Sequence, residues 1–162
     1  MERPSNPSSV CLDSNVLIDM ILGNSPAAKI CAELVRLAED EKITIVLSVL
    51  CYTEVRGYPN KKPYPPELDK KCLDFFDNAR LLIVDVNRRV SLVARRLAHQ
   101  YGYKPLDALH LATAVVAKAD VFMTWDQDFG PGYVEGVWVD RPYLPGQVDF
   151  LRDQASLFEI NS

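Results

Sequence analysis

Four acidic residues stand at positions where a folded α/β chain more often places apolar or helix-capping side chains. They are Asp13, Glu54, Asp107 and Asp126. Carboxylates brought close together repel one another and raise one another's pKa, so a fold that gathers them needs a cation. Mg²⁺ and Mn²⁺ prefer oxygen ligands, and a pair of such ions can activate a water for attack on a phosphodiester. The acids therefore predict a Mg²⁺ or Mn²⁺ site that performs phosphoryl transfer.

The usage of histidine and cysteine disfavours a softer metal centre. The chain has two histidines, and its four cysteines stand singly in apolar segments without a CxxC pair. A zinc site needs thiolate or imidazole ligands, and a disulfide framework is typical of small secreted chains. The sequence therefore predicts four small buried thiols, which are Cys11, Cys31, Cys51 and Cys72.

Length and composition predict one globular domain. The chain has 162 residues, of which 48% are hydrophobic and 25% are charged, and its formal net charge is −4. An acidic protein has no overall attraction for a phosphate backbone, so any contact with nucleic acid must be local. The sequence has neither an apolar run long enough to span a membrane nor an apolar leader, so we expect a cytoplasmic protein.

Asp13 and Asp126 each follow a predicted strand. The apolar runs at residues 10–12 and 121–124 are typical of buried strands. In an open parallel sheet, ligands bind in the crevice at the carboxyl ends of the strands. The structural alternatives are an N-cap or Asx turn at Asp13 and an ordinary turn at Asp126.

Glu54 and Asp107 are predicted to lie on helices. Ser48 is a candidate cap for a helix that ends at Gly57, and Glu54 would project from its apolar face. Asp107 lies in the first turn of a helix predicted for residues 105–117. The structural alternatives are a solvated glutamate at the rim and an aspartate stabilised by the helix dipole.

The chain as a whole alternates short apolar strands with amphipathic helices. Strands are predicted at residues 10–12, 43–47, 81–84 and 121–124, with an edge strand at 137–139. Helices are predicted from the cap Ser14 to Gly23, at 26–38, 48–56 and 68–76, from the cap Asn87 to Gly102, and at 105–117 and 147–157. This alternation predicts a three-layer α/β/α sandwich with a central parallel sheet.

The acids stand in motifs that resemble those of the PIN-domain family, particularly the VapC-type ribonuclease toxins of toxin-antitoxin systems. The motifs are LDSN at 12–15, Glu54, LDALHLATA at 106–114 and TWDQDF at 124–129. Each motif is short, but their order and spacing look like the family's layout. The resemblance implies a PIN-like fold and an endoribonuclease that cleaves single-stranded RNA with Mg²⁺ or Mn²⁺.

The resemblance also implies a role for each residue of these motifs. The catalytic, metal-binding acids would be Asp13, Glu54, Asp107 and Asp126. The hydroxyls of Ser14 and Thr124 would orient waters or ligands, and Asp128 would be an alternative or supporting acid. His110, three residues after Asp107, is a candidate proton shuttle, although a hydrogen-bonded histidine on a helix is the commoner case.

The extent of this resemblance, together with the segments that depart from it, predicts the domain boundaries and the partners. Residues 1–9 would be a flexible N-terminus, and 10–130 a nuclease domain with a proline-rich insertion at 58–66. Residues 131–162 would be a C-terminal extension that packs on the domain. The implied partners are single-stranded RNA, an antitoxin protein and, because the extension carries many apolar side chains, a second copy of the chain.

Three other interpretations start from the same residues. A catalytically silent PIN module would bind RNA or a protein without cleaving it, although all four acids are present. A phosphatase of the haloacid-dehalogenase type would use Asp13 as a nucleophile, but it needs a second acid where this chain has Asn15. A receiver-like phosphoacceptor would need an adjacent acidic pair near the first strand, which is missing.

Overall fold

The fold centres on a six-stranded sheet. A computed structural model describes residues 2–23, 25–56, 65–78 and 80–146. The strands in these residues are β1 (Ser9–Leu12), β2 (Thr44–Ser48), β3 (Leu81–Val84), β4 (Val121–Met123), β5 (Gly132–Val134) and β6 (Val137–Asp140). Their order across the sheet is β3-β2-β1-β4-β6-β5, and every neighbouring pair is parallel except β5 and β6.

Helices cover both faces of the sheet. In the described residues they are α1 (Ser14–Leu22), α2 (Pro26–Glu39), α3 (Cys51–Glu54), α4 (Pro66–Asn78), α5 (Arg88–Tyr101) and α6 (Pro105–Ala117). Successive side chains of a strand point to opposite faces. Accordingly Val10 and Leu12 of β1 pack in a core with α1, α2 and α4, whereas Cys11 packs in a second core with α5 and α6. The predicted three-layer α/β/α sandwich is confirmed.

Strands β1 and β4 end side by side at the centre of the sheet. Leu12 lies opposite Met123 in the parallel register, and the N–H of Asp13 donates to the Met123 carbonyl at 3.0 Å. Two segments far apart in sequence therefore leave the sheet at the same edge.

Local capping interactions set several helix boundaries as predicted. The Ser25 hydroxyl accepts a hydrogen bond from the Ala28 N–H at 3.2 Å and caps α2. Asn87 caps α5 in the same way, through the Val90 N–H at 3.0 Å. Gly102 ends α5 with a left-handed backbone (φ 74°), which glycine adopts without steric cost.

Two of the predicted caps are wrong. The N-cap of α1 is Asp13 rather than Ser14, because Asp13 has the extended backbone and its carboxylate accepts from the Ser14 N–H. Ser48 does not cap a helix, because it remains in β2 and its hydroxyl accepts from the Leu50 N–H. The helix that follows begins only at Cys51 and is a single turn.

The predicted edge strand at 137–139 is wrong in its position. β6 lies between β4 and β5, and β5 is the edge strand. A two-residue turn joins β5 to β6 at Glu135 and Gly136, whose φ angles are 47° and 87°. Such turns match the twist of an antiparallel pair. The chain therefore adds one antiparallel strand to an otherwise parallel sheet.

The residues before β1 contact the residues after β6. The Tyr143 hydroxyl donates to the Pro4 carbonyl at 2.7 Å, and Tyr143 packs against the core that contains α1. The helix predicted at 147–157 and most of the proline-rich segment at 58–66 lie outside the described residues.

The four cysteines are buried, as predicted, and they form no disulfide bond with one another. No helix in the described residues is long and apolar enough to cross a membrane.

Candidate functional site

The four acids that the sequence singled out lie at one edge of the sheet. Asp13 follows β1, Asp126 comes shortly after β4, and Glu54 ends the single turn that follows β2. Asp107 is the third residue of α6, which runs back along the sheet toward the start of β4. The charges of Asp13 and Asp126 act on the pKa of Asp107, and the charge of Glu54 acts on the pKa of Asp13. The structure thus brings the four acids into one region.

Asp13 is the most buried of these acids and the most firmly held. It is 4% exposed. One carboxylate oxygen accepts a hydrogen bond from the Ser14 N–H at 2.8 Å, and the other accepts one from the Thr124 hydroxyl at 2.7 Å. The orientation of this carboxylate is therefore set by the protein itself.

The Thr124 hydroxyl is the centre of a small buried network. Besides donating to Asp13, its oxygen accepts from the Asp126 N–H at 3.0 Å and from the Asn15 side-chain amide at 3.3 Å. The carbonyl oxygen of the same Asn15 side chain accepts from the Trp125 N–H at 3.1 Å. One donor and two acceptor positions exhaust what a hydroxyl offers. The network therefore fixes the start of the loop that carries Asp126.

Further contacts hold the rest of this loop. Oδ1 of Asp126 accepts from the Asp128 N–H at 2.9 Å, which closes an Asx turn. Nη1 of Arg141 donates to the carbonyl oxygens of Thr124 at 3.1 Å and Asp126 at 2.6 Å. Asp128 itself forms an exposed ion pair with Lys104 at 3.3 Å. Its carboxylate points toward solvent rather than toward the buried network.

His110 lies between two of the acids. The residue is 1% exposed, and its Nε2 is 2.5 Å from Oε2 of Glu54 and 3.9 Å from Oδ1 of Asp13. It is on α6, one turn after Asp107. The hydrogen bond expected of a helical histidine is therefore made with an acid of the candidate site.

Burial dominates the electrostatics of two aspartates. It raises the pKa of Asp13, although that carboxylate accepts two hydrogen bonds. Burial also raises the pKa of Asp107, and the charges of Asp126 and Asp13 raise it further. Burial thus outweighs the charge of His110 at Asp13, and it outweighs the charges of Lys104 and His110 at Asp107.

The contact between Glu54 and His110 outweighs burial in setting the pKa values of both groups. Burial alone would raise the pKa of Glu54, but the hydrogen bond and the charge of His110 lower it below its ordinary value. Burial alone would lower the pKa of His110, but the neighbouring Cys51 thiol, Glu54 and Asp13 raise it to about 10. Glu54 thus makes the shorter contact with His110, at 2.5 Å, whereas Asp13 lies 3.9 Å from the same ring nitrogen.

The chemistry of the four acids suits a hard metal ion, but their positions do not form a complete metal site. Asp13, Glu54, Asp107 and Asp126 offer only oxygen donors, which suit Mg²⁺ or Mn²⁺. Yet no group of three His, Cys, Asp or Glu side chains in the described residues is arranged so as to hold a metal ion.

Sequence reasoning missed three contributors to this region. Asn15 stands in the LDSN motif and at the place of a phosphatase's second acid, but the sequence assigns it no contact; in the structure it connects α1 to the loop after β4. His110 was not expected to contact Glu54, which is 56 positions earlier in the chain. Arg141 carried no local signal, since its role depends on where β6 ends.

Solved structures similar in fold come from toxin-antitoxin assemblies. One is a chain of a toxin-antitoxin complex from Klebsiella pneumoniae, with a TM-score of 0.61, 21% identity, and coverage of 83% of this chain and 98% of that one. Another is a chain of VapBC2 from Rickettsia felis bound to a DNA fragment from its promoter, with a TM-score of 0.54 and 22% identity. That match covers 73% of this chain and 87% of the other. At these identities the likeness concerns the fold.

A family model decides the classification. No curated protein matches the sequence significantly. The model of the PIN domain, a domain generally found in nucleases, matches residues 10–130. This match spans all four acids, and the parallel sheet with its acidic carboxyl edge agrees with it. The chain belongs to the PIN domain family.

Proposed function

We propose that the protein is a Mg²⁺- or Mn²⁺-dependent endoribonuclease that cleaves single-stranded RNA. The observation that carries the proposal is the buried Asp13 carboxylate, held at the sheet edge with Asp107 and Asp126 within electrostatic reach. Membership in a family of nucleases supports hydrolysis of a phosphodiester. The choice of single-stranded RNA comes from the resemblance of the motifs to those of VapC-type toxins.

Asp13, Glu54, Asp107 and Asp126 would hold the cation. The raised pKa values of Asp13 and Asp107 support this, since a bound divalent ion would offset the burial that raises both and the repulsion by neighbouring acids that raises the pKa of Asp107. When bound, such ions activate a water and stabilise the leaving oxygen of a phosphodiester. The hydrogen bond from the Thr124 hydroxyl would keep the Asp13 carboxylate directed toward the cation. Asp128 would be a supporting acid at the surface.

The test is cleavage of a fluorescent single-stranded RNA by the purified protein. We expect cleavage with Mg²⁺ or Mn²⁺ and none with EDTA. Because each acid would be a direct ligand, Asp13→Asn and Asp107→Asn should each reduce the rate by more than about 100-fold. Asp69→Asn is the matched control, because Asp69 is exposed on α4 and lies outside the candidate site.

Two results would overturn this proposal. One is cleavage that persists in EDTA, and the other is an equal rate in Asp107→Asn and wild type prepared side by side. Retained RNA binding without any cleavage would instead favour the catalytically silent PIN module.

We further propose that the protein is the toxin of a toxin-antitoxin pair. The support is that both similar structures described above belong to such assemblies. Purification of the full chain from its native host through a tag on this chain tests for a bound antitoxin. Co-purification with loss of RNA cleavage is expected, and cleavage unaffected by any co-purified protein would contradict the toxin role.

A homodimer stays a prediction. Light scattering of the purified chain across micromolar concentrations measures it directly. A mass of one chain at every concentration would contradict it.

A further inference from the structure

The helix that carries Glu54 does little to fix the direction of this side chain. Glu54 ends α3, which has four residues and whose N-cap, Leu50, makes no side-chain capping bond. So short a helical turn has little stability of its own. The Glu54 side chain is also 28% exposed. A contact from elsewhere in the fold must therefore fix the direction in which this carboxylate points.

His110 makes that contact from a much firmer position. It lies in the middle of α6, a helix of 13 residues, and its neighbours Leu111 and Ala112 are fully buried in the core. Its Nε2 is 2.5 Å from Oε2 of Glu54, while the same nitrogen is 3.9 Å from Oδ1 of Asp13. One ring nitrogen thus faces both carboxylates.

The imidazole is not needed for packing at this position. Its Nδ1 is buried and finds no hydrogen-bond partner in the described part of the chain. Leaving a buried polar atom unpaired costs free energy, and an apolar side chain of similar size would fill the space without that cost. What the imidazole adds is its polar contact with the Cys51 thiol and with Glu54, and of these two partners only Glu54 is an acid of the candidate site.

We propose that His110 is a positioning residue whose Nε2–H donates to Glu54 and holds that carboxylate beside Asp13 for binding of a divalent cation. This inference rests on the proposed function, since it assigns His110 a role toward the cation of that site. His110 itself does not touch the cation. It acts only through the direction of the Glu54 carboxylate, so a neutral donor at the same position should replace it.

The test compares two variants by isothermal titration of Mn²⁺ into the metal-free full chain. His110→Leu removes the donor, and we expect at least a tenfold weaker affinity, since supporting contacts to metal ligands typically contribute about 10- to 100-fold. His110→Gln keeps an amide N–H at about the distance of Nε2 along the side chain. We expect its affinity to stay within a factor of about three of wild type.

The outcomes separate this inference from the proposed function. Asp107→Asn serves as the variant with a lost ligand. An affinity of His110→Leu equal to or tighter than wild type would overturn the positioning role, and so would a His110→Gln variant as weak as His110→Leu. If His110→Leu does not fold, His110→Asn replaces it, because its shorter amide does not reach Glu54.

A metal-free measurement covers the case in which wild type binds no Mn²⁺, a result that would overturn the proposed function. A double-mutant cycle with His110→Leu and Glu54→Ala measures the contact through unfolding in urea. Each single substitution raises the equilibrium constant of unfolding by some factor. We expect the factor for the double variant to be about tenfold smaller than the product of the two single factors. The cycle of His110→Leu with Glu67→Ala, on the exposed start of α4, is the additive control. Additive effects in both cycles would overturn the contact itself.

Discussion

Asp13 and Asp107 lie at the same edge of the sheet, yet the protein holds their carboxylates in different ways. Asp13 is 4% exposed, and both its oxygens accept hydrogen bonds, from Ser14 and Thr124. Asp107 is half-buried in the first turn of α6, and no hydrogen bond from a described residue reaches its carboxylate. Its strongest electrostatic neighbours are other acids.

The difference indicates which part of the site is formed before anything binds. The orientation of Asp13 is fixed by the folded chain, so changing its surroundings should cost stability. The carboxylate of Asp107 is held only by its helix and repelled by its neighbours, so changing it should cost activity and leave stability unchanged or increased. Variants around Asp13 and at Asp107 therefore test whether the protein holds these two carboxylates differently.

The largest effect on stability is expected from Thr124→Val. The substitution keeps the volume but removes the donor to Asp13 and the acceptor for Asp126 and Asn15. Buried polar groups left unpaired typically cost about 1–3 kcal/mol each, so we expect at least about 2 kcal/mol lower free energy of unfolding in urea. Thr124→Ser, which keeps the hydroxyl, should recover most of this loss.

Thr113→Val is the matched control for this prediction. Thr113 is also fully buried, but its hydroxyl donates to the Leu109 carbonyl inside α6, at 2.9 Å. That carbonyl already belongs to the helix, so the cost should be at most about 1 kcal/mol. Equal costs at the two threonines would show that the Asp13 network has no special role in stability.

A smaller loss is expected from Arg141→Met. Arg141 donates to two carbonyl oxygens of the loop that carries Asp126, and methionine keeps much of the packing. Because the arginine is partly exposed, we expect the free energy of unfolding, measured in urea, to fall by about 1 kcal/mol. RNA cleavage should fall by a larger factor than this loss explains, since the loop positions a proposed ligand. Arg95→Met on the exposed side of α5 is the control, and an equal effect on cleavage in both variants would contradict the positioning of the loop.

Asp107→Asn should act in the opposite direction on stability. The pKa of Asp107 is raised in the folded state, so the folded protein binds its proton more tightly than the unfolded chain does. The contribution of this group to stability therefore falls as the pH rises from its ordinary pKa through the raised value. Without metal, Asp107→Asn should melt at or above wild type at pH 7, and its advantage should vanish below pH 4.

Adding Mn²⁺ to the same melting experiment tests whether Asp107 binds the cation. A ligand that binds only the folded state raises its stability by about 2.7 kcal/mol at a hundredfold excess over the Kd, so the wild-type melting temperature should rise. Asp107→Asn should lose most of this rise. A lower melting temperature that keeps the full response to Mn²⁺ would mean that Asp107 serves only the helix dipole, which is worth up to about 1 kcal/mol.

The smallest effect is expected from Lys104→Gln. Lys104 pairs with Asp128 at 3.3 Å, but their side chains are 75% and 62% exposed. Solvent and salt screen such a pair, so the melting temperature should not change measurably. A clear decrease, reproduced by Asp128→Asn, would show that Asp128 belongs to the firmly held half of the site.

Much of the architecture could be predicted from local sequence. The apolar runs at 10–12 and 121–124 and the caps Ser25 and Asn87 predict strands and helices because each signal acts within a few residues. Placing Asp13 and Asp126 at strand ends required only that the strands be parallel. The error at Ser14 is also local, because two neighbouring residues were both able to cap α1 and the backbone favours Asp13.

Which of these residues meet depends on how the strands and helices pack together. The sheet order places β6 between β4 and β5, and Arg141 reaches the Asp126 loop only because β6 ends there. His110 and Glu54 meet because α6 packs over the end of β2, and neither residue carries a mark of the other in its local sequence. Periodicity and capping depend on neighbours along the chain, whereas these contacts depend on strand order and on which helix face is buried. Local sequence therefore predicts the acids and the elements that carry them, whereas the packing of strands and helices determines how each carboxylate is held.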